Sequence, residues 1–354
     1  MPTINKRFLL VLILVVGLLT GVLFGVHAVQ ADRIPEALRK QAERAAEADK
    51  LDRAIHYYRQ YLEFEPEDVD TQVKLAELMR KRNSGARGLA EVIFLYEKIL
   101  RAEPDRDAVR REALAACLKL GRYSDAVTHA ETLLKTYPKE AALWQQLGAA
   151  QAGLNKLTEA KTSYEKAVTI EPGELLGYQR LAQLCWRNMH DAVAARDVLD
   201  RMVKAIPQHP DAHLIRARFE VFQADEGGAN RGNLKTAASH LHRVLELDPE
   251  HAEASMLLAD LYQRERNLTA AQALLRDALS LYPRDLKLVK SLSWLELSRG
   301  NTPAAIAILE DGLKAVPEGF DLLIPLADLL VQQGDTTRTA QILERLKNRR
   351  AHAT

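Results

Sequence analysis

The chain has 354 residues, 49 basic against 48 acidic side chains and a formal net charge of +1. No global field draws in nucleic acid or steers an anionic substrate. Ala, Leu, Glu, Arg and Lys dominate, and no alternating β-branched run of six or more residues appears, which excludes a sheet-built fold.

Met1–Arg7 is a short polar tail carrying Lys6 and Arg7. Phe8–Val26 follows with 19 residues, no charge and no proline. As a helix it is about 28 Å long, close to the hydrocarbon thickness of a bilayer. The run reads as an uncleaved signal anchor. A cleaved signal peptide is the competing reading, with Val29-Gln30-Ala31 as a passable cleavage site. Gly17, Gly21 and Gly25 recur every fourth residue, a small-residue face that would let two membrane helices pair into a homodimer. The competing reading is that glycine is simply common in membrane helices. Basic residues flank both ends, so charge counting leaves the orientation open. The short basic tail favours a cytosolic N-terminus and an extracytoplasmic remainder. Residues 27–34 form a linker.

From Pro35 onward the prolines set the organisation. Pro66, Pro104, Pro138, Pro172, Pro207, Pro249, Pro283 and Pro317 are separated by 38, 34, 34, 35, 42, 34 and 34 residues. The unit between two of them is clearest at Ala141–Pro172. Trp144, Leu147, Gly148 and Gln151 lie three and four residues apart and share one face of a first helix. Leu154-Asn155-Lys156 makes a turn, with Thr158 as N-cap of a second helix that carries Ala160, Tyr164 and Ala167 on one face. Gly148 and Ala160 are small where the two helices cross, and Pro172 ends the unit because it has no N–H to continue a helix.

The other units follow in order. The first hairpin covers Pro35–Asp49 and Asp52–Glu65, with Ala54 and Tyr58 in the small and aromatic positions. The second has Leu75, Ala76 and Tyr96, and its longer interval is expected as a solvated basic loop, Lys81–Gly88. The third carries Ala113, Leu114, Gly121 and Ala126. The fifth has Leu181, Ala182, a turn at Asn188–Asp191, and Ala195. The sixth departs most: Arg216 stands where leucine is expected, and Gln223–Asn233 lengthens its turn. No strand precedes Gly227, Gly228 and Gly232 and no Gly-Lys-Ser/Thr follows them, so they are not a phosphate loop. The seventh and eighth return to pattern with Leu258, Ala259, Ala271, Leu292, Gly300 and Ala305. Asn267-Leu268-Thr269 is a glycosylation sequon with meaning only in a eukaryotic secretory setting. In the ninth, Pro325 is expected to kink the first helix, and the second ends in Arg345, Lys347, Arg349 and Arg350.

The spacing W-x2-L-G, then A-x3-aromatic, then proline resembles the tetratricopeptide repeat, a helix–turn–helix unit of about 34 residues. The resemblance covers residues 35–350. It implies an all-α fold: a right-handed α-solenoid of about nine stacked helix-turn-helix repeats, here preceded by one transmembrane helix. Single hairpins cannot bury their apolar faces, so neighbours must stack.

Chemistry is scarce. His209, Asp211 and His213 are close in sequence, but Pro210 breaks the spacing a metal site requires, and His240 and His242 diverge on their helix. No G-x-S-x-G, C-x-x-C or H-E-x-x-H occurs, and Cys117 and Cys185 read as buried apolar residues rather than a disulfide. The expectation is a non-enzymatic scaffold with no cofactor and no bound metal. The family resemblance implies a concave groove lined by first helices. It assigns Gln179, Gln183, Trp186 and Arg187 to that groove in the fifth unit, Arg218 and Phe222 in the sixth, and Lys290 and Trp294 in the eighth. The competing reading packs Trp186, Phe222 and Trp294 between hairpins. Chaperone-binding members of the family hold a terminal carboxylate with lysine and asparagine on consecutive first helices. That pair is absent from the groove positions here. The expected partner is a protein or peptide, not nucleic acid. Analogy adds a role in cell-envelope assembly. The alternative is a soluble secreted or periplasmic adaptor after signal removal.

Overall fold

The helices fall where the apolar spacing puts them. The computed structural model describes residues 34–82, 85–225 and 233–352, together with position 18. The described residues form eighteen α-helices and no strand. They divide into two compact units, residues 1–171 and residues 172–354.

The first unit holds α1 (34–47), α2 (Leu51–Phe64), α3 (Val69–Arg82), α4 (Gly85–Ala102), α5 (Asp107–Leu120), α6 (Tyr123–Thr136), α7 (Ala141–Gly153) and α8 (Leu157–Ile170). From α2 onward each helix packs chiefly on the next in sequence, with α5 also meeting α7. One apolar core runs from Ala42 through Tyr58, Ile93, Leu114 and Leu133 to Ala150. No single hairpin could assemble it.

The second unit holds α9 (Leu175–Gln183), α10 (Ala192–Ala205), α11 (Pro210–Asp225), α12 (Leu234–Leu247), α13 (Ala252–Arg264), α14 (Leu268–Leu281), α15 (Leu286–Ser298), α16 (Thr302–Ala315), α17 (Leu323–Gln332) and α18 (Thr336–His352). Its core includes apolar clusters centred on Leu241 and Leu258, on Leu275 and Leu292, and on Leu309 and Leu326, and α9 and α10 bury Leu181, Leu199 and Met202 as well.

Small residues recur at the crossing within each hairpin. Ala54, Ala126, Ala160, Ala195, Ala237, Ala271 and Ala305 are fully buried near the start of a second helix. In the fourth hairpin a Cβ on Gly148 would lie 2.9 Å from the Tyr164 ring, so the glycine makes room for that tyrosine.

The turn is equally repetitive. Asp49, Gly121, Asn155, His190, Arg266, Gly300 and Gly334 all adopt positive φ. The residue after each donates its N–H back into the first helix, as in Lys156 to Gln151 and Asn301 to Glu296, both at 2.9 Å. In five repeats the left-handed residue follows the proline by 17 residues, at Pro104 to Gly121, Pro138 to Asn155, Pro249 to Arg266, Pro283 to Gly300 and Pro317 to Gly334. The prolines have a role beyond stopping helices. Their carbonyls accept from the side chain six residues on: Gln72 to Pro66 at 2.6 Å, Arg110 to Pro104 at 2.7 Å, Trp144 to Pro138 at 2.9 Å and His213 to Pro207 at 3.0 Å. The first-helix tryptophan of the repeat thus holds a carbonyl that the proline's turn leaves free.

Several expectations are corrected. Lys81–Gly88 is not a loop: Lys81 and Arg82 end α3, and Gly85–Gly88 form the opening of α4. The four extra residues of that interval become one added helical turn, making α4 18 residues long where α2, α6 and α8 have 14. Thr158 is not the cap of α8, which starts one residue earlier, with Lys156 in the cap position and no side-chain cap bond. Pro325 does not kink a helix interior. It lies in the first turn of α17, where no intrahelical N–H partner is needed, behind a 3-10 turn at Phe320–Leu322. Apart from position 18, the run Phe8–Val26, with Gly17, Gly21 and Gly25, lies outside the described residues, as do the flanking tail, the linker up to residue 33 and the glycines of 226–232. Among the described residues no helix is long and apolar enough to cross a membrane.

Candidate peptide groove

The interval from Pro172 to Pro207 is one residue too long, and the surplus falls in the first helix, because Pro172 to His190 spans 18 residues. The structure absorbs it without breaking the helix. After Gln183 the chain widens into a π-turn, Leu184–Asn188. Met189 donates to Leu184 at 3.0 Å, and Asp191 then reaches Cys185 at 2.9 Å, six residues back rather than five. The turn expected at Asn188–Asp191 is therefore shorter, Met189–Asp191. A single inserted residue cannot be taken up as a whole α turn, and the π-turn is the local alternative.

This widening sets the direction of Trp186 and Arg187. Trp186 packs edge-on against two rings of α11, Phe219 at 5.8 Å and Phe222 at 4.6 Å between centroids. Between them opens a cavity of about 380 Å³. Gln179 and Gln183 enter it from α9, Trp186 and Arg187 from the π-turn, and Arg218, Phe219 and Phe222 from α11. Ala182, Leu199 and Ile215 complete its apolar floor. The Arg187 guanidinium lies over the Trp186 ring, 5.1 Å from its centroid. Arg218 is 59% exposed and faces Glu253 at 3.5 Å.

Six of the eight residues expected in the groove therefore converge on one cavity. Lys290 and Trp294 on α15 do not line it. Trp294 is 62% exposed, so it does not pack between hairpins. Trp186 is half-buried against its aromatic neighbours, and Phe222 remains 41% exposed. The reading that puts both wholly into packing fails for Phe222. Sequence reasoning missed Phe219, which repeat position places toward packing, and the signal for the whole site was the odd 35-residue interval.

The opposite side of α11 explains the leucine-to-arginine departure. Glu220 is fully buried and accepts from Arg196 Nε at 2.8 Å, from Arg216, and from the backbone N–H of Asn233 at 2.8 Å. Arg216 also donates to Asp200 at 2.6 Å. Burial pushes the Glu220 carboxyl up, but the bonds from Arg196, Asn233 and Arg216 outweigh it and hold the group below the usual range. Phe219 and Glu220 are adjacent, so this network fixes the angular position of α11 and with it the cavity wall.

The histidines do not form the arrangement a metal requires. His213 and His240 meet at 3.1 Å between their Nδ1 atoms. His213 Nε2 must carry a proton, since the Pro207 carbonyl can only accept, and His240 is then the donor of the pair. His242 turns away to Tyr262. No group of three or more potential ligands occurs among the described residues. Both cysteines are buried.

Tetratricopeptide repeat family models match residues 116–174, 230–293 and 291–353. The chain belongs to the tetratricopeptide repeat family. Superkiller complex protein 3 of Homo sapiens is 33% identical to this tetratricopeptide protein over 94 residues, which is 27% of the chain but only 5% of that relative. A fragment of MamA from Desulfovibrio magneticus RS-1 is 18% identical with a TM-score of 0.41, covering 50% of this chain and 97% of its own. Yeast Tom70 is 12% identical with a TM-score of 0.44, covering 90% and 93%.

Proposed function

We propose that this tetratricopeptide protein is a non-enzymatic scaffold that holds a protein or peptide partner in the groove between α9, its π-turn and α11. The observation that carries the reading is the convergence of Trp186, Phe222, Arg187 and Arg218 on one open cavity. Aromatic and arginine side chains supply most of the energy at protein interfaces. A cavity of about 380 Å³ is the right size to seat one large side chain of a partner. Gln179 and Gln183, one helical turn apart on α9, add amides that both donate and accept along an extended backbone. The apolar run Phe8–Val26 anchors this scaffold in a membrane, with the repeats outside the cytosol in a role in envelope assembly. Its small-residue face at Gly17, Gly21 and Gly25 pairs two copies. A soluble adaptor, after removal of that segment as a signal peptide, is the second reading, favoured by Val29-Gln30-Ala31.

The test is a photo-reactive amino acid placed at position 222 in the full chain, expressed in its native cells. A discrete cross-linked partner that is lost when Trp186 is changed to alanine is the expected result. No adduct at 222, with adducts forming instead from residue 294, would move the site elsewhere. Carbonate extraction separates the two localisations: the anchored protein stays with the pellet.

A further inference from the structure

Resting on that reading, we propose that the occupant of the groove is an acidic peptide segment, an extended stretch in which carboxylates flank a bulky apolar side chain. None of the ten lining residues is Asp or Glu, and two are arginines, one on each wall. The whole chain carries only +1, so this concentration of positive charge is local. Arg187 makes no ion pair among the described residues and is held by the Trp186 face alone. Arg218 has a carboxylate, Glu253, at 3.5 Å, with both side chains about half exposed, a weak pair that an incoming carboxylate can displace. Both guanidiniums therefore keep donors available beside an apolar cavity. A carboxylate pairs with such a fork in two parallel hydrogen bonds, and the aromatic walls receive the side chain next to it. No terminal carboxylate is required. Nucleic acid fits less well: its affinity comes from many phosphate contacts along a basic track, and here there are two cations in a neutral chain.

The probes are three short fluorescein-labelled peptides, acetylated and amidated at their ends. One has Glu flanking a central Phe-Leu, one has Lys in place of each Glu, and one has Gln. Fluorescence anisotropy with the full-length chain reads their affinities. The Glu peptide should bind at least about tenfold tighter than the Lys peptide, and R187E or R218E should each weaken it by roughly tenfold. The double variant R187E/R218E should instead favour the Lys peptide. That reversal is beyond the reach of simple misfolding, and circular dichroism should show unchanged helix content. Equal binding of the Glu and Gln peptides, lost on Phe222→Ala, would overturn the acidic occupant while leaving the groove reading intact. If no peptide binds and position 222 yields no cross-link, both fall. Tighter binding of a single-stranded oligonucleotide than of the Glu peptide would also overturn it, in favour of a nucleic acid.

Discussion

Asp191 donates its backbone N–H to the carbonyl of Cys185 at 2.9 Å, one residue further back than the matching bond in the neighbouring hairpins. That displacement measures the insertion in the fifth repeat, and Trp186 sits directly after the accepting residue. Side chains beyond an inserted residue turn by roughly 100° about the helix axis unless the backbone widens locally. The widening confines the change to one turn and leaves α10 in register with its neighbours.

Deleting Asn188 should convert the π-turn to regular α-helix and restore the 17-residue half-repeat. Total helicity by circular dichroism should stay close to wild type. The near-ultraviolet signal of Trp186 should change, and affinity for the acidic probe should fall by roughly tenfold or more, the cost of losing a central aromatic anchor. Retained affinity would show that the π-turn does not shape the groove.

Replacing Glu220 tests the buried network. Glu220→Ala removes the shared acceptor of Arg196, Arg216 and the Asn233 N–H. Stranding buried donors and charge in this way costs about 3–5 kcal/mol. Urea denaturation should show that loss, and Arg196→Lys, at a partly exposed partner, should cost much less. Equal losses would place the network's energy elsewhere.

Glycines at two kinds of position should respond oppositely to alanine. Gly148→Ala places a Cβ 2.9 Å from the Tyr164 ring and should destabilise by roughly 1–3 kcal/mol, part of it offset by alanine's helix preference. Gly173→Ala meets nothing within 4 Å and has no positive φ, so thermal melting should barely move. A stable Gly148→Ala variant would mean that Tyr164 swings aside freely.

Acid should weaken the second unit through His240. Burial, with Arg216 and His213 close by, pushes its imidazole down to about 4, while the carboxylates Asp200 and Glu220 pull the other way. The unfolded chain therefore binds the proton more readily than the folded one. Stability from this group is complete above about pH 6.5 and is lost as the pH falls toward 4. His129 in the first unit is also lowered by burial, against the pull of Glu97, and adds in the same direction. Denaturation curves at pH 7 and pH 5 should differ by roughly 1–3 kcal/mol, and His240→Gln should shrink the gap. A gap that the substitution leaves unchanged would assign the acid sensitivity to other groups.

The hairpins were legible in the sequence because one short pattern repeats. Apolar spacing, the small residue at the crossing and the proline at the corner each have a local physical cause. That six of the expected residues share one cavity follows from repeat position, which fixes the face of a first helix each occupies. What escaped was how each surplus is absorbed. Spacing alone does not say whether four residues make a loop or another turn of helix, and α4 takes the second course because Gly85–Gly88 can open it. Nor does it say that Arg216 is buried to serve Glu220, because the two come together with Arg196 and Asp200 only after α10 and α11 pack.

Contacts in each unit run mainly between helices adjacent along the chain. Damage to one hairpin therefore has few routes by which to spread. Amide exchange followed along either unit should resolve several separate opening events, and a partner seated between α9 and α11 should slow exchange there while distant hairpins keep their own pace.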